Sequence, residues 1–173
     1  IAGSTWLPDE KLLASLVEKY PHWKFIIAPH EIGQSHIQEI EELFPKAIKF
    51  SVIGSQLSEN LPQILIIDNI GMLSSLYQYA KVAYIGGGFG VGIHNTLEAA
   101  AVGLPVIFGP KYDKFQEAKD LIEIDAAKCI STEDELLNAF EYFIMNEKSS
   151  AAAKNYVEHN KGATEIILEK ISF

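Results

Sequence analysis

Residues 82–110 read VAYIGGGFGVGIHNTLEAAAVGLPVIFGP. Val82, Ala83, Tyr84 and Ile85 form a short apolar run of the kind that becomes a buried strand. It leads directly into Gly86, Gly87, Gly88, Gly90 and Gly92. Residues 94–102 carry a helical pattern with closely packing alanines, and Gly103 stands where a helix would stop. Residues 104–108 give a second buried strand, closed by Gly109 and Pro110. The unit is strand, glycine loop, helix, strand, the repeating block of a parallel sheet. Glycines let backbone N–H groups approach a ligand closely, and a helix start adds partial positive charge that suits phosphate. Glu98 lies one turn inside the helix on the same face as Asn95. Beside a glycine loop it is a candidate for holding ribose hydroxyls; the plain alternative is that it complements the helix dipole. For Asn95 the alternative is a helix cap.

Upstream, Gly3-Ser4-Thr5 precedes Trp6 and an amphipathic run over residues 11–20, with Leu12, Leu13, Leu16 and Val17 at helical spacing and Pro8 suited to the first turn. A glycine–serine turn ahead of a helix is either an anion cradle or an ordinary connection. Residues 23–28 read as a strand ending in Pro29-His30-Glu31, at the end of a parallel strand where open α/β sheets bind ligands. A helix is expected over 34–44, a short strand within 46–51, a surface loop at 55–60 and a buried strand over 63–67. Asp68 ends that strand and is expected to cap the following turn, ahead of a short helix over 75–79. Downstream, Lys111 and Lys114 lie in a charged loop entering a helix over 116–122. A last strand is expected at 126–130, and Thr132 with Glu135 forms a capping box for a helix reaching Met145. Residues 149–173 read as helix broken at Gly162. Strands alternate with helices throughout, which predicts a Rossmann-like, doubly wound parallel sheet.

The 173 residues suffice for one α/β domain, with 48% hydrophobic and 21% charged residues. A net charge of -9 argues against a broad nucleic-acid footprint. No apolar run approaches a membrane span of roughly 20 residues. The single cysteine, Cys129, sits in an apolar stretch and is expected to be a buried, reduced thiol. The five histidines show no ligand-like pairing with acids, so no metal site is expected, and His30 and His36 read as solvent-exposed. The chain opens on Ile1-Ala2-Gly3 without an initiator Met or signal peptide, which leads to the expectation of a piece of a longer protein.

Asp68-x-x-Gly71-x-Leu73, the strand into Gly86-Gly87-Gly88, His94-Asn95-x-Leu97-Glu98, and Gly103-x-Pro105-Val106-x-x-Gly109-Pro110 occur in this order. Together they resemble the C-terminal half of the 3-deoxy-D-manno-octulosonic acid (Kdo) transferases. The resemblance implies a GT-B glycosyltransferase whose C-terminal Rossmann-like domain binds the sugar nucleotide CMP-Kdo. It also implies transfer of Kdo to a lipid A precursor in lipopolysaccharide synthesis, at the cytoplasmic face of the inner membrane. On that resemblance, Ser4, the Pro29-His30 turn and the amides of Gly88 and Gly90 contact phosphate. Gly71, Met72 and Leu73 border the cytosine, and Asn95 and Glu98 take the phosphate and ribose end. No cofactor is implied, and the base for the acceptor hydroxyl is expected in an N-terminal domain that this chain does not include. The family often carries Arg after the proline, where this chain has His30 and then Glu31. It also commonly has a glycine where this chain has Ile93. Other readings are a GT-B enzyme using a UDP-sugar, including the UDP-N-acetylglucosamine 2-epimerases, and a non-catalytic nucleotide-binding module.

Overall fold

The structure is a computed structural model that describes residues 1–53 and 62–171, with the backbone alone for 163–166. The surface loop expected at 55–60 lies outside the described residues. The chain order is β1 (Ala2–Thr5), α1 (Leu7–Lys19), β2 (Phe25–Pro29), α2 (Gln34–Leu43), β3 (Ile48–Lys49), α3 (Phe50–Ile53) and β4 (Ile64–Ile66). Next come α4 (Leu73–Leu76), a 3-10 turn (Tyr77–Tyr79), β5 (Ala83–Ile85), α5 (Leu97–Ala101), β6 (Val106–Phe108), α6 (Gln116–Glu123) and β7 (Ala127–Cys129). Three helices follow: α7 (Glu133–Met145), α8 (Glu147–Asn160) and α9 (Ala163–Lys170).

The strands form one sheet in the order β3-β4-β2-β1-β5-β6-β7, every pair parallel. The chain starts mid-sheet with β1, adds β2 beside it, passes to the edge at β3 and comes back to fill the place between with β4. It then returns to lay β5 against the other side of β1 and continues through β6 and β7. Winding reverses between β1 and β5, and open α/β sheets bind ligands outside the carboxyl ends of strands at such a point.

Side chains alternate across the pleat and cover both faces. Ile27, Ile66, Tyr84 and Ile107 pack with Leu13 and Leu16 of α1, Ile40 of α2 and Phe140 of α7. Ala83, Ile85, Val106 and Phe108 point the opposite way, toward Ala99 and Ala100 of α5, Leu121 of α6 and Ala153 of α8. Each large side chain buried in this manner contributes about 1.5–3 kcal/mol. The small alanines of α5 and α8 let those two helices lie close together.

Expected elements recur with their ends moved by a residue or two, but several details differ. The helix expected over 94–102 spans only Leu97–Ala101. Ile93 and His94 donate their N–H groups to the carbonyls of Lys111 and Gly86 (3.2 Å each), and Asn95 Oδ1 accepts from the Leu97 N–H (2.9 Å). These bonds hold the helix start at Leu97. Among the described residues the Asp68 carboxylate accepts from the backbone N–H (2.9 Å) and the hydroxyl of Ser51, beside it where β3 gives way to α3. Those bonds hold its carboxyl below the usual range, against its partial burial. Cys129 is half-buried, because β7 is an edge strand. Burial and the nearby Glu135 and Asp113 push its thiol up, which keeps it protonated and unreactive.

Thr132 caps α7 as expected, its hydroxyl accepting from the Glu135 N–H at 3.2 Å. The return bond from the Glu135 carboxylate goes to the Ser131 N–H (2.6 Å) rather than to Thr132 itself. Thr132→Ala is expected to cost about 1 kcal/mol. In thermal unfolding that is a fall in Tm of roughly 2–4 °C, and an unchanged midpoint would mean the cap contributes nothing.

Candidate functional site

The carboxyl ends of β1 and β5 are brought unusually close by glycine. Ser4 adopts a left-handed backbone (φ 54), and the pairing of β1 with β2 shifts register between Gly3 and Thr5. Gly86 donates to the Gly3 carbonyl at 2.9 Å. A Cβ added to Gly86 would lie 2.6 Å from Thr5 Cα and closer still to the Ser4 backbone, so no larger residue fits there.

Beyond Gly86 the loop is held largely by its own amides. Gly87 (φ 92) donates to Asp9 Oδ2 at 3.0 Å, and its carbonyl accepts from Gly90 (2.9 Å) and Gly92 (3.2 Å). Gly88 packs against the Gly109 backbone, and its carbonyl accepts from the Lys111 N–H at 3.0 Å. Lys111 Nζ donates to the Gly90 carbonyl at 2.6 Å. In residues 86–94 this leaves the N–H groups of Gly88, Phe89 and Val91 without a partner among the described residues. Of the two glycines singled out in the sequence, Gly88 therefore keeps a free donor, whereas the Gly90 amide is used inside the loop.

The anchor of the loop is Asp9, in the first turn of α1 and 1% exposed. Its Oδ2 accepts from the Trp6 N–H (2.9 Å) and the Gly87 N–H, and its Oδ1 from the Tyr84 hydroxyl (2.7 Å). One carboxylate thus ties the end of β1, the body of β5 and the glycine loop together. Burial, then the charge of Asp9, pushes the Tyr84 hydroxyl far above the usual phenol range, so it remains a donor.

Glu10 is fully buried beside it and accepts from the Thr5 hydroxyl at 2.8 Å. Its other oxygen lies 3.0 Å from His36 Nε2, and His36 Nδ1 lies 3.1 Å from the Glu31 carbonyl. A carbonyl only accepts, so Nδ1 carries a hydrogen, and one further proton lies between His36 and Glu10. Burial pushes the Glu10 carboxyl up, opposed by the bonds from Thr5 and His36. A raised acid stabilises the fold fully below the ordinary carboxylate range, and that contribution is lost as pH rises through its raised value. This chain of bonds fastens the loop after β2, which bears His30, to the end of β1. His36 was expected to be solvent-exposed; its side chain is 12% exposed because α2 packs it onto Glu10.

Pro29 is buried at the end of β2, and the exposed His30 donates its N–H to the Thr5 carbonyl at 2.9 Å. The His30 ring stacks on Trp6 (centroids 4.7 Å apart) and on His94 (4.4 Å). On the other side of β1, Gly71 supplies a left-handed turn (φ 92) leading to Met72 and Leu73. Leu73 and the Tyr77 hydroxyl cover Gly3, where a Cβ would meet them at 2.9 and 2.5 Å. Asn95 and Glu98 are exposed, with Asn95 Nδ2 donating to Glu98 Oε1 at 3.0 Å. Burial and then the Glu98 charge raise the Tyr77 hydroxyl above the usual phenol range.

The structure therefore gathers Ser4, His30, Leu73, His94 and the root of the glycine loop around the ends of β1 and β5. Gly71 and Met72 lead into Leu73, Asn95 and Glu98 are bonded to each other at the start of α5, and Gly90 is exposed within the loop. Trp6, Asp9 and Glu10 were given no site role in the sequence, and His36 was read only as solvent-exposed. The available signal was the pair of acids in the first helical turn directly after a strand, which passes for ordinary dipole complementation. Among the described residues no group of three or more His, Cys, Asp or Glu side chains could hold a metal ion.

No family model matches the chain. The 3-deoxy-D-manno-octulosonic acid transferase of Rickettsia bellii is 33% identical over 131 residues, spanning 72% of this chain and 31% of that protein. The enzyme of the same name from Aquifex aeolicus is 28% identical over 158 residues, spanning 86% of this chain and 43% of the relative. The chain is a relative of the Kdo transferases. In fold it is similar to the C-terminal CMP-Kdo binding domain of WaaA from Acinetobacter baumannii, with a TM-score of 0.75, 22% identity, and coverage of 90% of this chain and 86% of that one. The chain spans roughly a third of the length of these Kdo transferases, 31% and 43% of the two named. Among the described residues no helix is long and apolar enough to cross a membrane.

Proposed function

We propose that this chain is the donor-binding part of a glycosyltransferase that moves Kdo from CMP-Kdo to a lipid A precursor in lipopolysaccharide synthesis. What supports the reading is the close approach of the Ser4 turn and the root of the glycine loop at the reversal point of the sheet, in a chain related to Kdo transferases. In this reaction the bond from the sugar's anomeric carbon to the phosphate oxygen breaks and CMP departs with the electron pair. The acceptor hydroxyl forms the new bond and gives its proton to a base. Stabilising the departing phosphate is work this chain's groups suit: the unclaimed N–H groups of Gly88, Phe89 and Val91, with Ser4 and His30 at the mouth. The Asn95 amide donates to phosphate, while the Glu98 carboxylate accepts from ribose hydroxyls. Gly71, Met72 and Leu73 border the cytosine. On this reading the base belongs to the part of the relatives that this chain does not span, and the whole protein works at the cytoplasmic face of the inner membrane.

The test is calorimetric titration of the protein with CMP and with UDP. CMP is expected to bind in preference to UDP, and Glu98→Ala to weaken CMP about tenfold or more, the worth of one or two hydrogen bonds to a charged acceptor. A preference for UDP would overturn the donor and move the reading to enzymes of UDP-sugars. Unchanged CMP affinity in Glu98→Ala would remove the ribose role of that residue.

A further inference from the structure

We propose that binding of the anionic sugar nucleotide is coupled to uptake of a proton by the stacked His30–His94 pair. This rests on the donor reading given above and concerns how the same site balances charge.

All 14 basic residues other than histidine are lysines; the chain has no arginine. A sugar-acid nucleotide brings at least two negative charges, one on phosphate and one on the sugar carboxylate. They arrive where the protein is already negative, with Asp9 buried under the glycine loop, Glu31 next to His30 and Glu98 at the start of α5. The lysine tied to the loop, Lys111, has its Nζ on the Gly90 carbonyl. At the root of the loop the groups able to become positive are two imidazoles, their centroids 4.4 Å apart and their planes 23° from parallel.

Stacked rings at that distance resist carrying two protons unless an anion lies beside them. Trp6 Nε1, which can only donate, faces His94 Nε2 at 3.5 Å. The neutral His94 ring therefore holds its hydrogen on Nδ1, and a second proton goes onto Nε2, displacing the long Trp6 N–H bond. The titratable groups acting on His94 are His30 from the loop after β2 and Asp9 from α1, whose Oδ1 is occupied by the Tyr84 hydroxyl of β5. Burial, then His30, hold His94 below the ordinary histidine range, with Asp9 opposing. Without a ligand His94 is thus held toward its neutral form, with the His30 ring stacked against it. A bound phosphate or carboxylate supplies the missing counter-charge and draws the second proton in from solvent. The proton goes onto a ring nitrogen, and no covalent bond in the ligand changes.

The experiment is titration calorimetry at pH 7.5 with the methyl ester of CMP, a diester whose phosphate does not titrate near neutrality. It is run in three buffers of different ionisation enthalpy, with CMP itself alongside. Uptake of about 0.5–1 proton per ligand is expected, with affinity falling roughly three- to tenfold from pH 7 to pH 8. His94→Asn should abolish the uptake, and His30→Asn, at an exposed position, makes the same test if the first variant does not fold. Binding without proton uptake, or uptake that persists in both variants, overturns the coupling and leaves the donor reading standing. If neither CMP nor its ester binds, the donor reading falls and the coupling falls with it.

Discussion

Asp9→Ala is expected to lower the stability of the protein by about 3 kcal/mol or more and to abolish CMP binding with it. The carboxylate removed is the acceptor for three donors, the N–H groups of Trp6 and Gly87 and the hydroxyl of Tyr84. Each buried donor left without a partner costs about 1–3 kcal/mol, and water entering the vacated space keeps the sum toward the lower end. For a chain of this size that is a fall in Tm of roughly 6–12 °C. Asp9→Asn separates shape from charge. Its oxygen still accepts, but its amide nitrogen must face one of the three donors, so an intermediate loss is expected. A melting temperature for Asp9→Ala within 2 °C of the parent would show that the carboxylate does not hold the loop.

The second large effect is expected from a single methyl group. In Gly86→Ala the new Cβ falls 2.6 Å from Thr5 Cα and still nearer the Ser4 backbone. Backbone atoms in adjacent strands cannot turn aside as a flexible side chain can, so β1 and β5 must separate at their carboxyl ends. Overpacking of this kind costs about 1–3 kcal/mol, and more where backbone is involved. Gly90→Ala is the control: its Cβ would lie 3.5 Å from the Gly87 carbonyl, in ordinary contact at an exposed position. The expected result is a markedly lower Tm or insoluble protein for Gly86→Ala, and a change within about 0.5 kcal/mol for Gly90→Ala. Equal behaviour of the two variants would mean that the close approach of the strands is not what sets the geometry of the site.

Much of this architecture is legible in residues 82–110 alone, because its signals are local. Apolar runs of four or five residues, glycine punctuation and a helix stop at Gly103 are each visible within a short window, and their repetition specifies a parallel sheet. The glycine loop and the Asn95–Glu98 pair are legible for the same reason, since both are local in sequence, although Asn95 stands ahead of the helix start rather than within it. Asp9 meets Gly87 across 78 positions, Glu10 meets His36 across 26, and the His30–His94 stack joins two different loops. Nothing local announces such pairs; they exist only once the sheet order puts β1 between β2 and β5. An acid in the first turn of a helix also has a sufficient local explanation, which conceals a second role. His36 shows the reverse error, since its surface-like neighbours say nothing about the one face of α2 that turns inward.

The buried carboxylate under the glycine loop ties the charge a ligand may carry to the integrity of the fold. A variant selected to accept a more highly charged nucleotide would have to make the floor of the loop less negative, and the direct route is to lose Asp9. That same change releases Trp6, Tyr84 and Gly87, so the loop fails before the new preference can be expressed. A compensating change at position 84 relieves only one of the three donors and leaves the N–H groups of Trp6 and Gly87 without their acceptor. The charge beneath the loop is therefore bound to the loop's own backbone and cannot be altered at Asp9 alone.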